Sequence, residues 1–207
     1  MSTGAEITGT SGADYAHRLH RLQSAWWKRL IRAQAPYHAD VRRLRLGATL
    51  DIGCGPGRLL QALPPRSVGV DHNPHLVRIA RERGLPAYTV EEFAASPELA
   101  RPARYDTLLV AHLVEHLEYP VALELMRGYL PYLRPGGRVM LITPQERGFD
   151  SDPTHLAFAD FDVLRRLCAD LALSVEREWS FPFPRWAGRP FVYNEFHLLA
   201  SMPEVAG

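Results

Sequence analysis

The fold of this chain is decided by the stretch Leu50-Asp51-Ile52-Gly53-Cys54-Gly55-Pro56-Gly57-Arg58. Its apolar start predicts a buried strand over Ala48–Ile52. The three closely spaced glycines let the backbone adopt angles closed to other residues and approach a ligand closely. The residues that follow predict a helix over Gly57–Leu63. A strand, a glycine-rich turn and a helix in this order are typical of α/β sheets that bind a nucleotide.

Short apolar runs alternate with helical segments after this stretch, which predicts a parallel sheet covered on both faces. The predicted strands are Ser67–Asp71, Ala87–Val90, Thr107–Ala111 and Arg138–Thr143. The predicted helices are His75–Gly84, Val121–Leu133 and Phe161–Ala172, and Pro135-Gly136-Gly137 marks the end of the second. Two further runs, Ser174–Ser180 and Phe191–Leu199, have no helix between them and predict an antiparallel pair.

These patterns predict an α/β fold, a Rossmann-like seven-stranded sheet that is mostly parallel with a C-terminal antiparallel strand and has helices on both faces. The composition suits one domain, since 46% of the 207 residues are hydrophobic and 23% are charged. We expect a disordered tail over residues 1–15, an N-terminal lid helix region over 16–46 and the folded domain over 47–207.

Cellular context is constrained mainly by features that the sequence lacks. No apolar run is long enough to cross a bilayer and the N-terminus does not resemble a signal peptide, so we expect a cytoplasmic protein with no membrane partner. The two cysteines, Cys54 and Cys168, are too few for a disulfide framework. The formal net charge of +1 gives no global reason to expect a polyanionic partner.

A basic segment interrupts this neutral balance. Residues 18–45 contain many arginines and the only lysine, Lys28, against the single acid Asp40. Such a segment attracts nucleic acid in some proteins and is a solvated helix face in others. We favour the solvated face, because no nucleic-acid-binding motif accompanies the charge.

The glycine turn resembles the first motif of class I S-adenosylmethionine-dependent methyltransferases, and the resemblance extends from about Leu50 to Pro144. The rival G-x-G-x-x-G dinucleotide fingerprint fails because Arg58 stands at its third glycine. The resemblance implies S-adenosyl-L-methionine as the cofactor. It implies cofactor-binding roles for residues of the first and fourth strands and the turn, namely Asp51, Gly53, Gly55, Gly57 and Ala111.

Acidic residues follow the second and third predicted strands. Asp71 stands where a carboxylate accepts hydrogen bonds from ribose hydroxyls, although it could also only cap the helix that begins near Pro74. His72 should then lie beside the adenine. Glu91 and Glu92 occupy the position that contacts the adenine amino group in the family. Both also fit the first turn of a helix, and the sequence does not choose between them.

Histidines cluster after the fourth strand, in His112-Leu113-Val114-Glu115-His116. Together with Thr89–Phe93 and Leu133–Arg138, this segment resembles the ubiquinone-biosynthesis O-methyltransferases. Three interpretations of the histidines stay open. The histidines act as a general base or contact the substrate, they bind a metal, or Glu115-His116 only orders the loop. Some relatives hold a divalent ion with a Glu-x-x-Glu-His pattern, but His112 replaces the first glutamate, so we expect no metal.

Further candidates follow the fifth strand. His155 stands before a helix, where a histidine often faces the substrate in these enzymes, and it could also complete a metal site. We therefore name His112, His116 and His155 as catalytic candidates. The aromatic residues near the C-terminus either fill the core or line a pocket. Glu195 lies among them and, if buried, needs a partner such as Arg185 or a histidine.

The resemblance implies a methyltransferase that acts on a small-molecule acceptor, with oxygen as the favoured accepting atom. Catalysis would rest mainly on holding the acceptor and the methyl group in line. Two alternatives remain, an RNA or other macromolecule methyltransferase that uses the basic segment, and a non-catalytic cofactor-binding protein on the same fold.

Overall fold

The computed structural model describes residues 37–203. The predicted disordered tail, residues 1–15, and most of the predicted lid helix region, residues 16–46, therefore lie outside the described residues. The described chain begins in a helical segment, residues 37–43, which we call α1. Between residues 37 and 203, no helix has both the length and the apolar character needed to cross a membrane.

Within residues 37–203, seven strands, numbered β1 to β7 along the chain, form one sheet in the order β3-β2-β1-β4-β5-β7-β6. Strands β1 to β5 are parallel, and β7 runs antiparallel to both of its neighbours, β5 and β6. The predicted fold class is therefore confirmed. The strands are β1 Thr49–Ile52, β2 Val68–Asp71, β3 Ala87–Thr89, β4 Tyr105–Ala111, β5 Leu133–Pro144, β6 Ser174–Phe181 and β7 Glu195–Ser201.

Helices cover both faces, because neighbouring residues of a buried strand point to opposite sides of the sheet. Leu108 and Val110 of β4 belong to one hydrophobic cluster, and Leu109 and Ala111 belong to the other. The first cluster also contains residues of α3, α4 and α6, and the second contains residues of α1 and α2. These helices and the short α5 are α2 Pro74–Glu82, α3 Val90–Ala95, α4 Tyr119–Tyr129, α5 Glu146–Phe149 and α6 Phe161–Asp170.

The helix predicted over Gly57–Leu63 is wrong. Only one turn of 3-10 helix forms there, Leu60–Ala62, and Leu63 is already extended. Two features explain the difference. Gly57 has a left-handed φ of 79°, and the residue before a proline, here Leu63, is driven away from helical angles. Little chain is left between them for a helix.

Three other boundaries differ from the sequence prediction. Helix α4 ends at Tyr129 and a 3-10 turn, Leu130–Tyr132, follows it. The Pro135-Gly136-Gly137 sequence lies inside β5 rather than in a separate turn, where the pairing of β5 with β4 shifts register. Strand β7 begins only at Glu195, so Phe191 and Tyr193 precede it. In the second case, Gly136 accommodates the irregularity with a φ of 66°.

Candidate active site

The glycine turn follows β1 and is tied to the neighbouring strand β2. The backbone amides of Gly53 and Cys54 both donate to the carbonyl oxygen of Val70, at 2.8 and 3.1 Å. Gly53, Gly55 and Gly57 have φ values of 74°, 54° and 79°, in the left-handed region that favours glycine. A Cβ atom on Gly55 would meet nothing within 4 Å. The turn therefore offers bare backbone beside open space at this residue.

Asp71 ends β2 and holds the glycine turn in place. Its Oδ2 accepts a hydrogen bond from the Gly55 amide and its Oδ1 accepts one from the Asn73 amide, both at 2.8 Å. The N-cap of α2 is Asn73, whose side chain accepts from the His75 amide. The alternative that Asp71 is only the helix cap is therefore wrong. A carboxylate has about four acceptor positions, so Asp71 retains capacity for ligand hydroxyls.

Asp51 lies in β1, directly before the glycine turn, and is only 2% exposed. Burial raises the pKa of its carboxyl to about 7, and the negative charge of Asp71 acts in the same direction. A buried carboxyl that ionises near neutral pH gains most from a positively charged ligand group, because such a group would favour the charged form.

His72, Glu91 and Glu92 follow the carboxyl ends of β2 and β3. Glu92 closes a capping box at the start of α3, since its amide donates to the Thr89 hydroxyl and its carboxylate accepts from the Thr89 amide. It also pairs with Arg81, whose hydrogen bond lowers the pKa of Glu92. Glu91 is fully exposed. Hydrogen bonds to its own backbone amide and to the Thr89 side chain lower its pKa.

Strand β4 ends at Ala111, and the chain turns into a 3-10 helix, Val114–His116. His112 makes the turn with a φ of 54°, which is uncommon for a residue other than glycine. A Cβ atom on Gly53 would lie 3.1 Å from Cδ2 of Leu113. The segment that carries the predicted catalytic histidines therefore packs against the predicted cofactor turn.

Both ring nitrogens of His112 lie beside carboxylates. Nδ1 is 3.3 Å from Oε1 of Glu115, and Nε2 is 3.0 Å from Oε1 of Glu195. Burial alone would lower the pKa of His112, but the charge of Glu195 and the hydrogen bonds of both carboxylates outweigh it and raise the pKa to about 10. With both nitrogens donating, His112 has no free lone pair. The predicted role of proton acceptor does not fit this arrangement.

Glu195 extends the arrangement into an acid–imidazole chain, which consists of Glu115, His112, Glu195, His197 and Asp40. Oε2 of Glu195 is 3.0 Å from Nε2 of His197, and Nδ1 of His197 is 3.2 Å from Oδ2 of Asp40 in α1. Burial raises the pKa of Glu195, but the positive charge and hydrogen bond of His112 outweigh it and hold the pKa at about 2. The chain links β4, β7 and α1.

The expected partner of Glu195 is therefore a pair of histidines, and Arg185 instead pairs with Glu146. His197 and Asp40 were not predicted as site residues. The spacing Glu195-x-His197 was the available signal, because residues two apart in a strand lie on the same face.

Glu115, His116 and His155 converge on one point. One nitrogen or oxygen atom from each residue lies within 4.8 Å of the other two, and the centroids of the two imidazole rings are 4.8 Å apart. Glu115 is fully buried. Burial lowers the pKa of His116. The structure thus brings His116 and His155 together, while His112 contacts Oε1 of Glu115.

Backbone carbonyls orient both histidines. Nδ1 of His116 lies 3.1 Å from the Thr154 oxygen, and Nδ1 of His155 lies 2.7 Å from the Phe149 oxygen. A carbonyl oxygen only accepts hydrogen bonds, so each Nδ1 carries the hydrogen. In the neutral form of each ring, Nε2 is then the nitrogen that carries the lone pair.

The segment between β6 and β7 lies at the carboxyl end of β5, since Glu195 pairs with Pro144. Its aromatic side chains Phe183, Trp186 and Tyr193 are 50%, 72% and 40% exposed. Buried Asn194 fastens the segment by accepting from the Phe183 amide and donating to Gln145. These three aromatic side chains therefore lie at the surface rather than in the core.

The chain belongs to a family of methyltransferases, since the family described as "Methyltransferase domain" matches residues 15–200. It is 30% identical over 142 residues to a ubiquinone biosynthesis O-methyltransferase of Xanthomonas campestris. It is 28% identical over 148 residues to a protein of the same name from Marinobacter nauticus. These matches cover 59% and 61% of this chain and 57% and 60% of the relatives, less than two thirds of their length.

Solved structures of methyltransferases share the fold. A SAM-dependent methyltransferase from Archaeoglobus fulgidus has a TM-score of 0.62 at 20% identity, covering 80% of this chain and 92% of its own. Magnesium protoporphyrin IX methyltransferase from Synechocystis with bound SAH has a TM-score of 0.57 at 16% identity, covering 80% and 82%. At these identities the two structures show that the chain has the methyltransferase fold, in agreement with the family to which it belongs.

Proposed function

We propose that the protein transfers the methyl group of S-adenosylmethionine to an oxygen atom of a small molecule. The observation that carries this proposal is the pair His116 and His155, in which Nδ1 lies against a backbone carbonyl oxygen and Nε2 is left to accept a proton. The segment that contains His116 lies against the glycine turn through Leu113. An acceptor hydroxyl must lose its proton during methyl transfer, and the Nε2 atom of either histidine is suited to accept that proton. The names of the curated relatives, O-methyltransferases, support the choice of oxygen.

In this proposal the cofactor lies across the carboxyl ends of β1, β2 and β4. The bare backbone at Gly55 accepts its amino-acid end, together with Gly53, Gly57 and Ala111. The carboxylate of buried Asp51 neutralises the positive charge of the cofactor. Asp71 accepts hydrogen bonds from the ribose hydroxyls with the lone pairs that Gly55 and Asn73 leave free. Glu91 and His72 lie beside the adenine, whereas Glu92 is committed to the capping box and Arg81.

Methyl transfer is an in-line displacement at carbon, so the protein contributes chiefly by placing the acceptor oxygen opposite the sulfonium. His112 helps to shape this place rather than accept a proton, because Glu115 and Glu195 occupy both of its nitrogens. The exposed rings of Phe183, Trp186 and Tyr193 offer apolar surface at the same edge of the sheet. This surface suits an acceptor with an aromatic or apolar body.

The proposal is tested with methyl-labelled S-adenosylmethionine and a matched set of acceptors, such as catechol, 2-aminophenol and 2-mercaptophenol. Each keeps one hydroxyl group, and the neighbouring group is a hydroxyl, an amine or a thiol. We expect label on oxygen alone. We expect His116→Ala to lower kcat by roughly a hundredfold and to leave the affinity for S-adenosylhomocysteine unchanged in calorimetry. Preferential labelling of nitrogen or sulfur would contradict the choice of oxygen. Tight cofactor binding without turnover on any class of acceptor would instead favour a non-catalytic role.

A further inference from the structure

We propose that an arginine cluster on the outer side of the glycine turn, formed by Arg42, Arg58 and Arg83, binds the phosphate group of a phosphate monoester. The three side chains come from separate segments: Arg42 lies on α1, Arg58 follows the glycine turn, and Arg83 is the C-cap of α2. All three residues are exposed. The site is separate from the places that the proposed function gives to the cofactor and the acceptor, and it does not depend on the accepting atom.

Hydrogen bonds bring these segments together around His38 of α1. Nε2 of His38 lies 3.0 Å from the carbonyl oxygen of Arg58, and the side chain of Gln61 donates to the same oxygen at 2.9 Å. Burial lowers the pKa of His38, and the charges of the three arginines of the cluster lower it further. One imidazole ring therefore lies within electrostatic range of all three guanidinium groups.

The guanidinium group of Arg83 is already held in one orientation. Its Nη1 donates to the carbonyl oxygen of Pro56 at 2.6 Å, and its Nη2 donates to Oε1 of Gln61 at 3.2 Å. A guanidinium group has five N–H donors, so these two bonds leave three donors for a ligand. A side chain that is fixed before binding loses less conformational entropy when the ligand arrives.

Acidic partners for the cluster are absent from the described part of the chain. Several arginines of residues 37–203 form salt bridges, but none of these belongs to the cluster. Two acids close to it in the chain have other partners, since Glu82 pairs with Arg78 and Asp40 lies 3.2 Å from Nδ1 of His197. Residues 15–36 contain neither aspartate nor glutamate.

The three positive charges therefore lie together without compensation. Burial lowers the pKa of Arg83, and the charge of Arg58 acts in the same direction. Like charges that are held together repel each other, and an anion bound between them removes that repulsion. The cluster thus favours an anion that carries more than one charge.

Charge and hydrogen-bonding capacity indicate which anion fits. A phosphate monoester carries a charge of about −1.5 to −2 at neutral pH and has three acceptor oxygens. Arginine binds such a group through two parallel N–H donors. A carboxylate has only one charge and two oxygens. Each phosphate of a nucleic-acid backbone also carries a single charge, so three arginines at one place suit a terminal phosphate better than such a backbone.

The test compares ethyl phosphate with propionate, which share a short alkyl group, by calorimetry on the full chain saturated with S-adenosylhomocysteine. We expect one ethyl phosphate per chain and much weaker binding of propionate. Arg58→Gln and Arg83→Gln should each weaken binding of ethyl phosphate roughly fivefold to tenfold. The matched control is Arg43→Gln, which removes the same charge from α1. Its side chain points about 100° away from that of Arg42 around the helix, so it should bind ethyl phosphate like the wild type.

A second measurement distinguishes a soluble phosphate from a lipid headgroup. Sedimentation with phosphatidylcholine vesicles, with and without phosphatidic acid, shows whether the same site recruits the chain to a phosphate-bearing surface. Recruitment that Arg58→Gln abolishes indicates a lipid source. Binding of ethyl phosphate without recruitment indicates a soluble one.

Arg58→Gln is the decisive variant, because only the backbone of Arg58 takes part in the hydrogen bonds around His38. Its urea unfolding and its affinity for S-adenosylhomocysteine should equal those of the wild type. Wild-type binding of ethyl phosphate by Arg58→Gln and Arg83→Gln overturns the proposal, and so does equal binding of propionate. Competition between ethyl phosphate and S-adenosylhomocysteine would place the cluster in the cofactor site. Binding of single-stranded RNA without binding of ethyl phosphate would make the cluster a nucleic-acid contact instead.

Discussion

Gly55 and Gly57 are two residues apart, yet an added side chain would meet opposite surroundings at each. A Cβ atom on Gly55 enters open space, whereas one on Gly57 lies 2.3 Å from Cδ1 of Leu85. Both residues have positive φ, so alanine costs about 1–2 kcal/mol of backbone strain at either position. We expect Gly55→Ala to lose S-adenosylhomocysteine binding, while its free energy of unfolding falls only by this strain cost. Gly57→Ala should lower the free energy of unfolding by a further 1–3 kcal/mol through overpacking.

Urea unfolding and calorimetry on the two variants separate these effects. Each variant serves as the other's control, because the substitution and the type of backbone strain are the same. Undiminished cofactor affinity in Gly55→Ala would show that the cofactor does not lie against this residue.

Single residues also show where sequence-based prediction stops. The glycine turn after β1 and the aspartate at the end of β2 were predictable, because their spacing is local. The partners of His112 were not, since Glu195 lies 83 residues away in the chain. The sequence therefore indicated a histidine directly after β4 but not that both of its nitrogens lie against carboxylates.

At the scale of elements, two adjacent acids at the start of α3 have different roles: Glu92 stabilises the helix and Glu91 is a candidate cofactor ligand. Glu92 completes the capping box and pairs with Arg81, so Glu92→Ala should lower the free energy of unfolding by about 1 kcal/mol. It should leave cofactor affinity unchanged. Glu91→Ala should weaken S-adenosylhomocysteine binding several-fold, because Glu91 neither closes the capping box nor pairs with Arg81 and is the acid that remains for the adenine. Matching losses of affinity in both variants would contradict this division.

The wrongly predicted ends of helices and strands also have physical causes. The buried strands and α2 were predictable because apolar periodicity and turn residues agree there. The predicted helix after the glycine turn was wrong because its apolar residues continue to Leu63. The prolines that follow Leu63 require an extended chain there. Strand β5 began earlier than predicted because tertiary pairing with Tyr105 draws Leu133 into the sheet despite its proline and glycines.

For the molecule as a whole, Asp51 should make stability depend on pH. Its folded-state pKa is about 7, whereas an aspartate in an unfolded chain ionises near pH 4. Between these values only the folded state holds the proton, so the stabilising contribution is full below about pH 4 and is lost as pH rises to 7. The loss is up to about 4 kcal/mol, from roughly three pKa units at 1.36 kcal/mol each.

Asp51→Asn removes this titration while keeping the shape of the side chain. Urea unfolding of cofactor-free wild type and variant at pH 5 and pH 8 measures the difference. The variant should gain stability relative to wild type at the higher pH. Identical pH dependence of the two proteins would mean that Asp51 is ionised in the folded state throughout.

The overall topology was the most predictable feature, because strands and helices alternate until the last two strands follow without a helix. The antiparallel pairing of β6 with β7 could be expected from that change, whereas the order that places β7 next to β5 could not. The meeting of α1, β4 and β7 through the acid–imidazole chain could not, because it depends on packing between distant segments.

The placement of β7 also has a consequence for how the chain is made. Translation produces β7 last among the described strands, yet β7 is the partner of both β5 and β6. Until Glu195–Ser201 has left the ribosome, β5 has an open edge and β6 has no partner, and such edges promote association between chains. A ribosome that stops before Glu195 therefore releases a product whose glycine turn is complete but whose sheet can pair with another truncated copy.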